Sequence, residues 1–206
     1  MNKTIISLCI LLLVVGTVQS VTYLEMTPYS QADCSGQSEG IGFSLVVGQC
    51  FAIDQTFYTV ELSSDHSNAT MYQYSDTACK DRVSYSDRDF VSNYCYQAPN
   101  LVWNNWVEAN NYVKISVVVN PPYIPEYGHR QTTYAPGDQN CFGNPQFYWY
   151  ATNNTKIYYD NQVAVFNCYH GQSYEIKCTP GCATYNMMLS CTNFYGNKYG
   201  NIVESC

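Results

Sequence analysis

Charged side chains are scarce in this sequence. Only 12% of its 206 residues are charged, and nine basic residues stand against 16 acidic ones. Because an acidic chain with so few basic residues binds a phosphate backbone poorly, we do not expect nucleic-acid binding. Aromatic residues make up 16% of the chain, and this content with so little charge excludes an intrinsically disordered protein. The composition therefore predicts a folded, acidic protein.

Long apolar runs are missing after the first 20 residues. The longest later run, residues 115–119, has the length of a strand, whereas a helix needs about 20 apolar residues to cross a bilayer. The apolar run at residues 5–15 follows Lys3 and precedes a small-residue triplet ending at Ser20, which predicts a signal peptide over residues 1–20. An uncleaved anchor is the alternative. We expect a secreted, extracellular protein without a membrane span.

Helical periodicity is absent as well. After residue 20 no window places apolar residues at i, i+3, i+4 and i+7, and only residues 101–108 allow a short helical turn. Short β-branched and aromatic segments, such as residues 21–29 and 112–119, alternate instead with Gly, Ser, Asn and Asp. The sequence predicts an all-β fold of two disulfide-stapled antiparallel domains, each a β-sandwich or a Greek-key-like arrangement.

Cysteine, in contrast, is abundant. Of the 11 cysteines, Cys9 lies in the predicted signal peptide, and the remaining ten predict a disulfide framework formed in an oxidising compartment. Acceptor triplets for N-glycosylation begin at Asn68 and Asn153, which agrees with a secretory route. The sequence therefore predicts a secreted, disulfide-bonded glycoprotein.

An internal repeat with an offset of 45 residues occupies the first half of the mature chain. The spacings Tyr-x4-Cys and Cys-x15-Cys occur twice without a gap. The matching positions are Met26, Tyr29, Ser30, Cys34, Leu45, Val46 and Cys50 in the first copy, and Met71, Tyr74, Ser75, Cys79, Phe90, Val91 and Cys95 in the second. The two copies predict one β domain over residues 21–119.

A proline-rich segment follows the repeats. Pro121, Pro122 and Pro125 cannot donate backbone hydrogen bonds and favour an extended linker, which we place at residues 120–131. A second, Cys-rich β domain is predicted over residues 132–206. Four cysteines precede the linker and six follow it, and both numbers are even, as two separately stapled domains require. The six are Cys141, Cys168, Cys178, Cys182, Cys191 and Cys206.

The repeat predicts how the first four cysteines pair. Equivalent cysteines should bond equivalently, so the simplest pairs are Cys34–Cys50 and Cys79–Cys95, and the symmetric alternative is Cys34–Cys79 with Cys50–Cys95. In the chain-entropy model a bridge that closes a loop of this size stabilises the protein by about 3 kcal/mol. The six later cysteines allow about 15 connectivities, among which the sequence does not choose.

The first repeat resembles the βγ-crystallin Greek-key motif. That motif has an aromatic residue, four residues, a second aromatic, one residue and a glycine; Tyr29, Cys34 and Gly36 match, with cysteine in place of the second aromatic. The second repeat keeps Tyr74 but lacks the glycine. The resemblance covers about half of the chain and implies two packed antiparallel sheets. No Asn/Asp pair is followed by the ending of the family's calcium motif, so no metal site is expected.

The candidate catalytic motifs have simpler explanations. Residues 36–40 fit the Gly-x-Ser-x-Gly nucleophile elbow of hydrolases, but a strand rather than a helix is predicted after Ser38, which favours a turn. His66, His129 and His170 are predicted to be solvated loop residues. The later cysteines are expected to form disulfides rather than bind zinc. We therefore predict no catalytic residue, no metal and no cofactor.

The aromatic residues are the remaining candidates for a site. Exposed tyrosine and tryptophan offer large amphipathic contact surfaces, and the chain has 21 tyrosines and three tryptophans. The alternative is that they fill the core between sheets. The ligand-binding candidates are Trp103 and Trp106 in one cluster, and Tyr148, Trp149 and Tyr150 in another.

Taken together, these features predict a secreted, non-enzymatic binding protein that recognises an extracellular ligand, either a carbohydrate or a cell-surface partner. One alternative is a structural component of an extracellular matrix or wall. Another is a secreted hydrolase or toxin-like effector with an unrecognised site.

Overall fold

All regular secondary structure is β-strand within the residues that the computed structural model describes, which are 20–99, 101, 112–119, 127–159, 162–193, 196 and 198–206. The all-β prediction is confirmed. None of these residues belongs to a helix long and apolar enough to cross a membrane. The predicted helical turn at residues 101–108 lies, apart from Leu101, outside the described residues.

Eight strands precede residue 120 and eight follow it. The first eight are β1 (Thr22–Tyr29), β2 (Ile41–Val46), β3 (Phe51–Ile53), β4 (Thr56–Leu62), β5 (Asn68–Tyr74), β6 (Arg88–Val91), β7 (Cys95–Gln97) and β8 (Tyr112–Val119). The others are β9 (Tyr127–Tyr134), β10 (Phe147–Thr152), β11 (Thr155–Tyr159), β12 (Gln162–Tyr169), β13 (Gln172–Cys178), β14 (Cys182–Asn186), β15 (Leu189–Thr192) and β16 (Asn201–Ser205).

These strands form three antiparallel sheets. The central sheet has eight strands in the order β15-β16-β9-β10-β2-β1-β8-β7. The first side sheet has the order β3-β4-β5-β6, and the second side sheet has the order β11-β12-β13-β14. Each side sheet therefore takes its strands from one half of the chain, whereas the central sheet takes four from each half.

Each 45-residue unit of the first half contributes two strands to the central sheet and two to the first side sheet. β1 and β2 lie in the central sheet and β3 and β4 in the first side sheet, while 45 residues later β5 and β6 lie in the side sheet and β7 and β8 in the central sheet. Backbone contacts follow the same offset: Val47 N–H donates to Thr22 O, and Ser92 N–H donates to Ser67 O. Each 45-residue unit thus completes both sheets, and neither unit makes a sheet alone.

The second half repeats this strand order. The strands β9, β10, β15 and β16 lie in the central sheet and β11 to β14 in the second side sheet, which is the arrangement of the first half. Cys141 follows β9 with a left-handed backbone, φ 54°, just as Cys34 (φ 52°) follows β1 and Cys79 (φ 50°) follows β5. The two halves share few side chains, so this correspondence is a feature of the fold rather than of the sequence.

Pairing of β2 with β10 joins the two halves into one sheet. Five residue pairs form this contact, from Phe147 opposite Leu45 to Ala151 opposite Ile41. In addition, β9 begins at Tyr127, inside the predicted linker 120–131. The predicted division into domains 21–119 and 132–206 therefore needs a correction, since the two parts share a continuous sheet.

Cysteine pairing differs from both predicted schemes. Cys34 bonds Cys95 and Cys50 bonds Cys79, so the pairs Cys34–Cys50 and Cys79–Cys95 are wrong, as is the alternative. Strand exchange is the physical reason, because it places the first cysteine of one unit beside the second cysteine of the other. In the second half the bridges are Cys141–Cys191, Cys168–Cys206 and Cys178–Cys182. No bridge among these ten cysteines joins the two halves.

Both side sheets pack against the same face of the central sheet, which we call its inner face. Leu24, Phe43 and Trp149 on this face are at most 2% exposed. Phe147 stacks on Phe51 of the first side sheet, with 6.4 Å between ring centroids, and Trp149 meets Phe166 of the second side sheet edge-on at 5.8 Å. Burial of these side chains supplies the main driving force for assembling the three sheets.

His129 lies in this packed layer, so its prediction as a solvated loop residue is wrong. It is fully buried on β9, between Trp149 and Phe166. The Ser173 hydroxyl donates to Gly128 O at 3.2 Å, so His129 Nδ1–H is the donor to Ser173 Oγ at 2.8 Å. Burial lowers the pKa of His129 to about 4, so the ring stays neutral in the folded protein. His66 and His170 are exposed, as predicted.

Acidification should destabilise the protein through His129. Between pH 6.5 and 4 the unfolded chain binds a proton on this side chain that the folded chain does not, so this contribution to stability falls as the pH falls. As the pH falls from 6.5 to 4, the free energy of unfolding of His129→Phe should rise by about 3 kcal/mol relative to that of the wild type. Urea unfolding at several pH values measures this difference. Ser173→Ala, which keeps the imidazole, should retain the wild-type pH dependence. Equal pH slopes for His129→Phe and the wild type would contradict the assignment.

Candidate interaction surface

Most of the predicted ligand-binding residues do not present a surface. Tyr148, Trp149 and Tyr150 are each about 1% exposed, because β10 is an interior strand of the central sheet and is buried on both faces. Their prediction as a ligand-binding face is therefore wrong, and the alternative that they fill the core holds for Trp149. Trp103 and Trp106 lie outside the described residues.

Tyr148 and Tyr150 instead belong to a polar cluster on the outer face of the central sheet. Glu25, Ser44 and Tyr148 are directly opposite one another on β1, β2 and β10. Tyr150 lies over Gly42, and a β-carbon at residue 42 would overlap its ring. The glycine therefore creates the space that this tyrosine fills. Sequence reasoning missed Glu25, because a single acidic residue in an apolar strand gives no motif.

Burial dominates the electrostatics of this cluster. It raises the pKa of Glu25 to about 8, although the hydroxyls of Ser44, Tyr148 and Tyr150 lower it in part. The pKa values of Tyr148 and Tyr150 are also raised, first by burial and then by the nearby Glu25 carboxylate. The carboxyl is thus mostly protonated and neutral at pH 7. A cluster that is uncharged and only 4% exposed at Glu25 acts as packing rather than as an open site.

The open face of the second side sheet is the more accessible candidate. Alternation along the strands sends Ile157, Ala164 and Phe166 into the core and the residues between them outward. The outward side chains form three rows across the sheet. The rows are Tyr158-Val163-Cys178-Cys182, Lys156-Val165-Ile176-Thr184 and Asn167-Tyr174-Asn186.

The centre of this open face is apolar and its margin is polar. Val163, Val165 and Ile176 occupy the two middle strands and are only partly buried, while Tyr158 is 54% exposed at one side. Lys156, Thr184 and Asn186 lie around them and are exposed. An apolar centre within a polar rim is the composition of protein–protein interfaces.

The equivalent face of the first side sheet is different in character. Its outward residues include Thr59, Glu61, Thr70 and Asp89, and the Thr70 hydroxyl donates to Asp89 Oδ1 at 2.7 Å. On the same face the Arg82 guanidinium lies over the Tyr72 ring at 4.0 Å and pairs with Asp87. The Phe57 ring on this face is covered by Tyr199 and is only 6% exposed, whereas Val163, Val165 and Ile176 on the other face stay accessible. The difference marks the apolar face as the candidate for a binding role.

The Gly-x-Ser-x-Gly segment forms a turn, and the asparagines of the predicted glycosylation sites are exposed. Ser38 lies in the connection between β1 and β2, where Gly36 and Gly40 both have positive φ, as expected of a turn. Asn68 and Asn153 are both exposed, and glycosylation at these positions stays a prediction. No group of three or more potential metal ligands lies close together among the residues described.

A signal for the open face exists in the sequence. The run over β12 reads Gln-Val-Ala-Val-Phe-Asn-Cys, in which both alternating sets are apolar at their centre. A half-exposed strand normally alternates apolar with polar residues. Ala164 and Phe166 face the core, so Val163 and Val165 are apolar residues on the outward face, where polar residues are expected. Apolar residues on both faces predict either a strand that is buried on both sides or an exposed apolar surface. The order of the strands in the sheets is needed to distinguish the two.

Comparison with known proteins gives one match. A family model described as counting factor-associated protein A/B/C matches residues 2–203, almost the whole chain. No curated protein matches the chain, and no solved structure does.

Glu25 should make the protein less stable as the pH rises. Between its ordinary value of 4.5 and about 8 the unfolded chain has lost a proton that the folded chain keeps, so stability falls with pH in this window. Glu25→Gln removes the titration, and its stability relative to the wild type should rise by on the order of 4 kcal/mol between pH 4 and pH 8. Denaturant unfolding over this range measures the difference.

Tyr148→Phe provides the control for this experiment. It removes a hydroxyl that lowers the pKa of Glu25, so the decline of stability should extend to higher pH than in the wild type. A Glu25→Gln variant with the wild-type pH dependence would show that the carboxyl is ionised in the folded protein and that the description of this cluster is wrong.

Proposed function

Because the chain belongs to the counting factor-associated protein A/B/C family, we propose that it works outside the cell as a non-enzymatic binding protein whose partner is another protein. Family membership and the five disulfides are both consistent with an extracellular protein. The family description names association with a counting factor, and we take such an extracellular factor as the partner.

The open face of the second side sheet is the observation that carries this proposal. Its central residues, Val163, Val165 and Ile176, remain accessible although they are β-branched and apolar. On the corresponding face of the first side sheet, Tyr199 covers the Phe57 ring, and Glu61, Thr70 and Asp89 are polar. The fold itself therefore does not require an accessible apolar surface there. A protein partner with an apolar contact surface would remove these side chains from water.

The dimensions of the face limit the kind of interface it can make. Four strands and three rows span roughly 14 Å by 13 Å, or about 200 Å², from the usual spacings of a sheet. A stable interface buries about 800 Å² on each partner. The apolar centre therefore supplies the core of the interface, and the rim with Lys156 and Asn186 extends it.

Carbohydrate recognition has less support than a protein partner. It depended on exposed aromatic rings, and the three predicted rings that the structure describes are buried in β10. Elsewhere, the Tyr72 ring is covered by Arg82, while the exposed rings of Tyr85, Phe142 and Tyr169 are far apart in the sequence and come from different strands and turns.

Val165→Lys should abolish partner binding without unfolding the protein. A lysine in the middle of the open face places a charge where the partner would exclude water, so affinity for purified counting factor should fall at least about tenfold. Thr59→Lys is the matched control, because Thr59 is also β-branched and faces outward on the second strand of the other side sheet. Its affinity should stay within about twofold of the wild type. Surface plasmon resonance measures the affinities, and circular dichroism confirms folding.

Three outcomes would overturn the proposal. The first is wild-type protein that does not bind counting factor. The second is equal loss of binding in the two lysine variants, which would place the contact elsewhere. The third is concentration-dependent dimerisation of the wild type that Val165→Lys removes, because a second copy would then occupy the face.

A further inference from the structure

The Cys178–Cys182 bridge differs from the other four in what it connects. Those four join residues separated by 29 to 61 positions and tie distinct strands or loops together. Cys178 and Cys182 are only four positions apart and flank the turn of one hairpin. A loop this short restricts the unfolded chain least, so this bridge contributes least to stability on the chain-entropy model.

Backbone pairing holds the same hairpin without the bridge. Cys178 and Cys182 are directly opposed on β13 and β14, and four further residue pairs continue the ladder to Tyr174 and Asn186. Thr179 N–H donates to Gly181 O at 3.0 Å and closes the turn. Opening the disulfide would therefore release no contact between sheets.

Residue exposure also singles out this bridge. Of the ten disulfide-bonded cysteines, Cys182 is the one that is exposed, while the other nine are partly buried. It begins β14, the edge strand of the second side sheet, in which all five residues are exposed. Thiol–disulfide exchange needs a thiolate to approach a sulfur directly, and Cys182 permits this approach.

In the first half of the chain, the cysteine in the equivalent connection forms a bridge between distant parts of a sheet. The β5–β6 connection, which corresponds to the β13–β14 connection, contains Cys79, and Cys79 bonds Cys50 just before β3. That bridge ties two ends of the first side sheet together. In the second half the two cysteines of the hairpin bond each other. The Cys178–Cys182 bridge therefore does not connect two ends of the second side sheet.

We propose that Cys178–Cys182 is a site of thiol–disulfide exchange with an external thiol, either a small thiol or a protein dithiol, and this goes beyond the proposed function. The attacking thiolate forms a bond to Cys182 Sγ, the bond between the two cysteines breaks, and Cys178 leaves as a thiolate that takes up a proton. A second thiol of the reductant then displaces Cys182. Two electrons pass to the protein, and the reductant becomes a disulfide.

Limited reduction of the intact, folded protein tests this proposal. The mature protein is incubated with increasing reduced glutathione under native conditions, trapped with N-ethylmaleimide and mapped by tandem mass spectrometry. We expect labels at Cys178 and Cys182 at least about tenfold faster than at any other cysteine, with an unchanged circular dichroism spectrum. Addition of oxidised glutathione before trapping should restore the bridge.

A pair of double variants supplies the matched control. Cys178→Ser/Cys182→Ser should fold and show the wild-type melting temperature within a few degrees, whereas Cys141→Ser/Cys191→Ser, which removes a bridge of separation 50, should melt clearly lower. The single variant Cys178→Ser should form a mixed disulfide with one glutathione at Cys182. The proposal is wrong if another bridge opens first, or if all five open together with loss of the folded spectrum.

Discussion

The antiparallel pairing of β2 with β10 is the contact on which the rest of the structure depends. It joins two four-stranded sheets, one from each half of the chain, into a single eight-stranded sheet. Because β2 and β10 are then interior strands, all six residues of each are buried. The same contact sets Glu25, Ser44 and Tyr148 in one row and leaves both side sheets on the same face of the molecule. Each side sheet consequently has one face that no other described sheet covers.

The arrangement of strands explains which parts of the fold could be predicted from the sequence. The alternation and turn residues are local, so they identified the β class and many of the segments, such as 112–119, correctly. Pairing between distant strands is not local, and the prediction failed wherever it depended on such pairing. Cys34 was assigned to its neighbour Cys50, although strand exchange carries it to Cys95. The resemblance to βγ-crystallin motifs stays a prediction, since no solved structure matches the chain.

The candidate site shows the same limit. Trp149 looked like a binding residue because it lies in an aromatic cluster, yet its Nε1–H donates to Gln131 Oε1 at 3.2 Å inside the core. His129 looked like a loop residue because it follows a proline-rich segment. The sequence does not mark Val165 as a binding residue, because an apolar residue in a strand is expected to be buried. Whether a strand face is covered depends on which sheet lies against it, and no local pattern in the chain contains that information.

The crossed bridges Cys34–Cys95 and Cys50–Cys79 have a consequence for the order in which disulfides can form. A chain that enters an oxidising compartment from its N-terminus presents Cys34 and Cys50 first, long before either native partner has arrived. Oxidation of nearest neighbours at that stage would make the Cys34–Cys50 bond, which the finished fold does not contain. Cys79 reaches Cys50 once β5 has joined the first side sheet, and Cys95 reaches Cys34 only after β7 has joined the central sheet. Reshuffling of disulfides, or protection of the early thiols, is therefore a requirement built into the order of the strands.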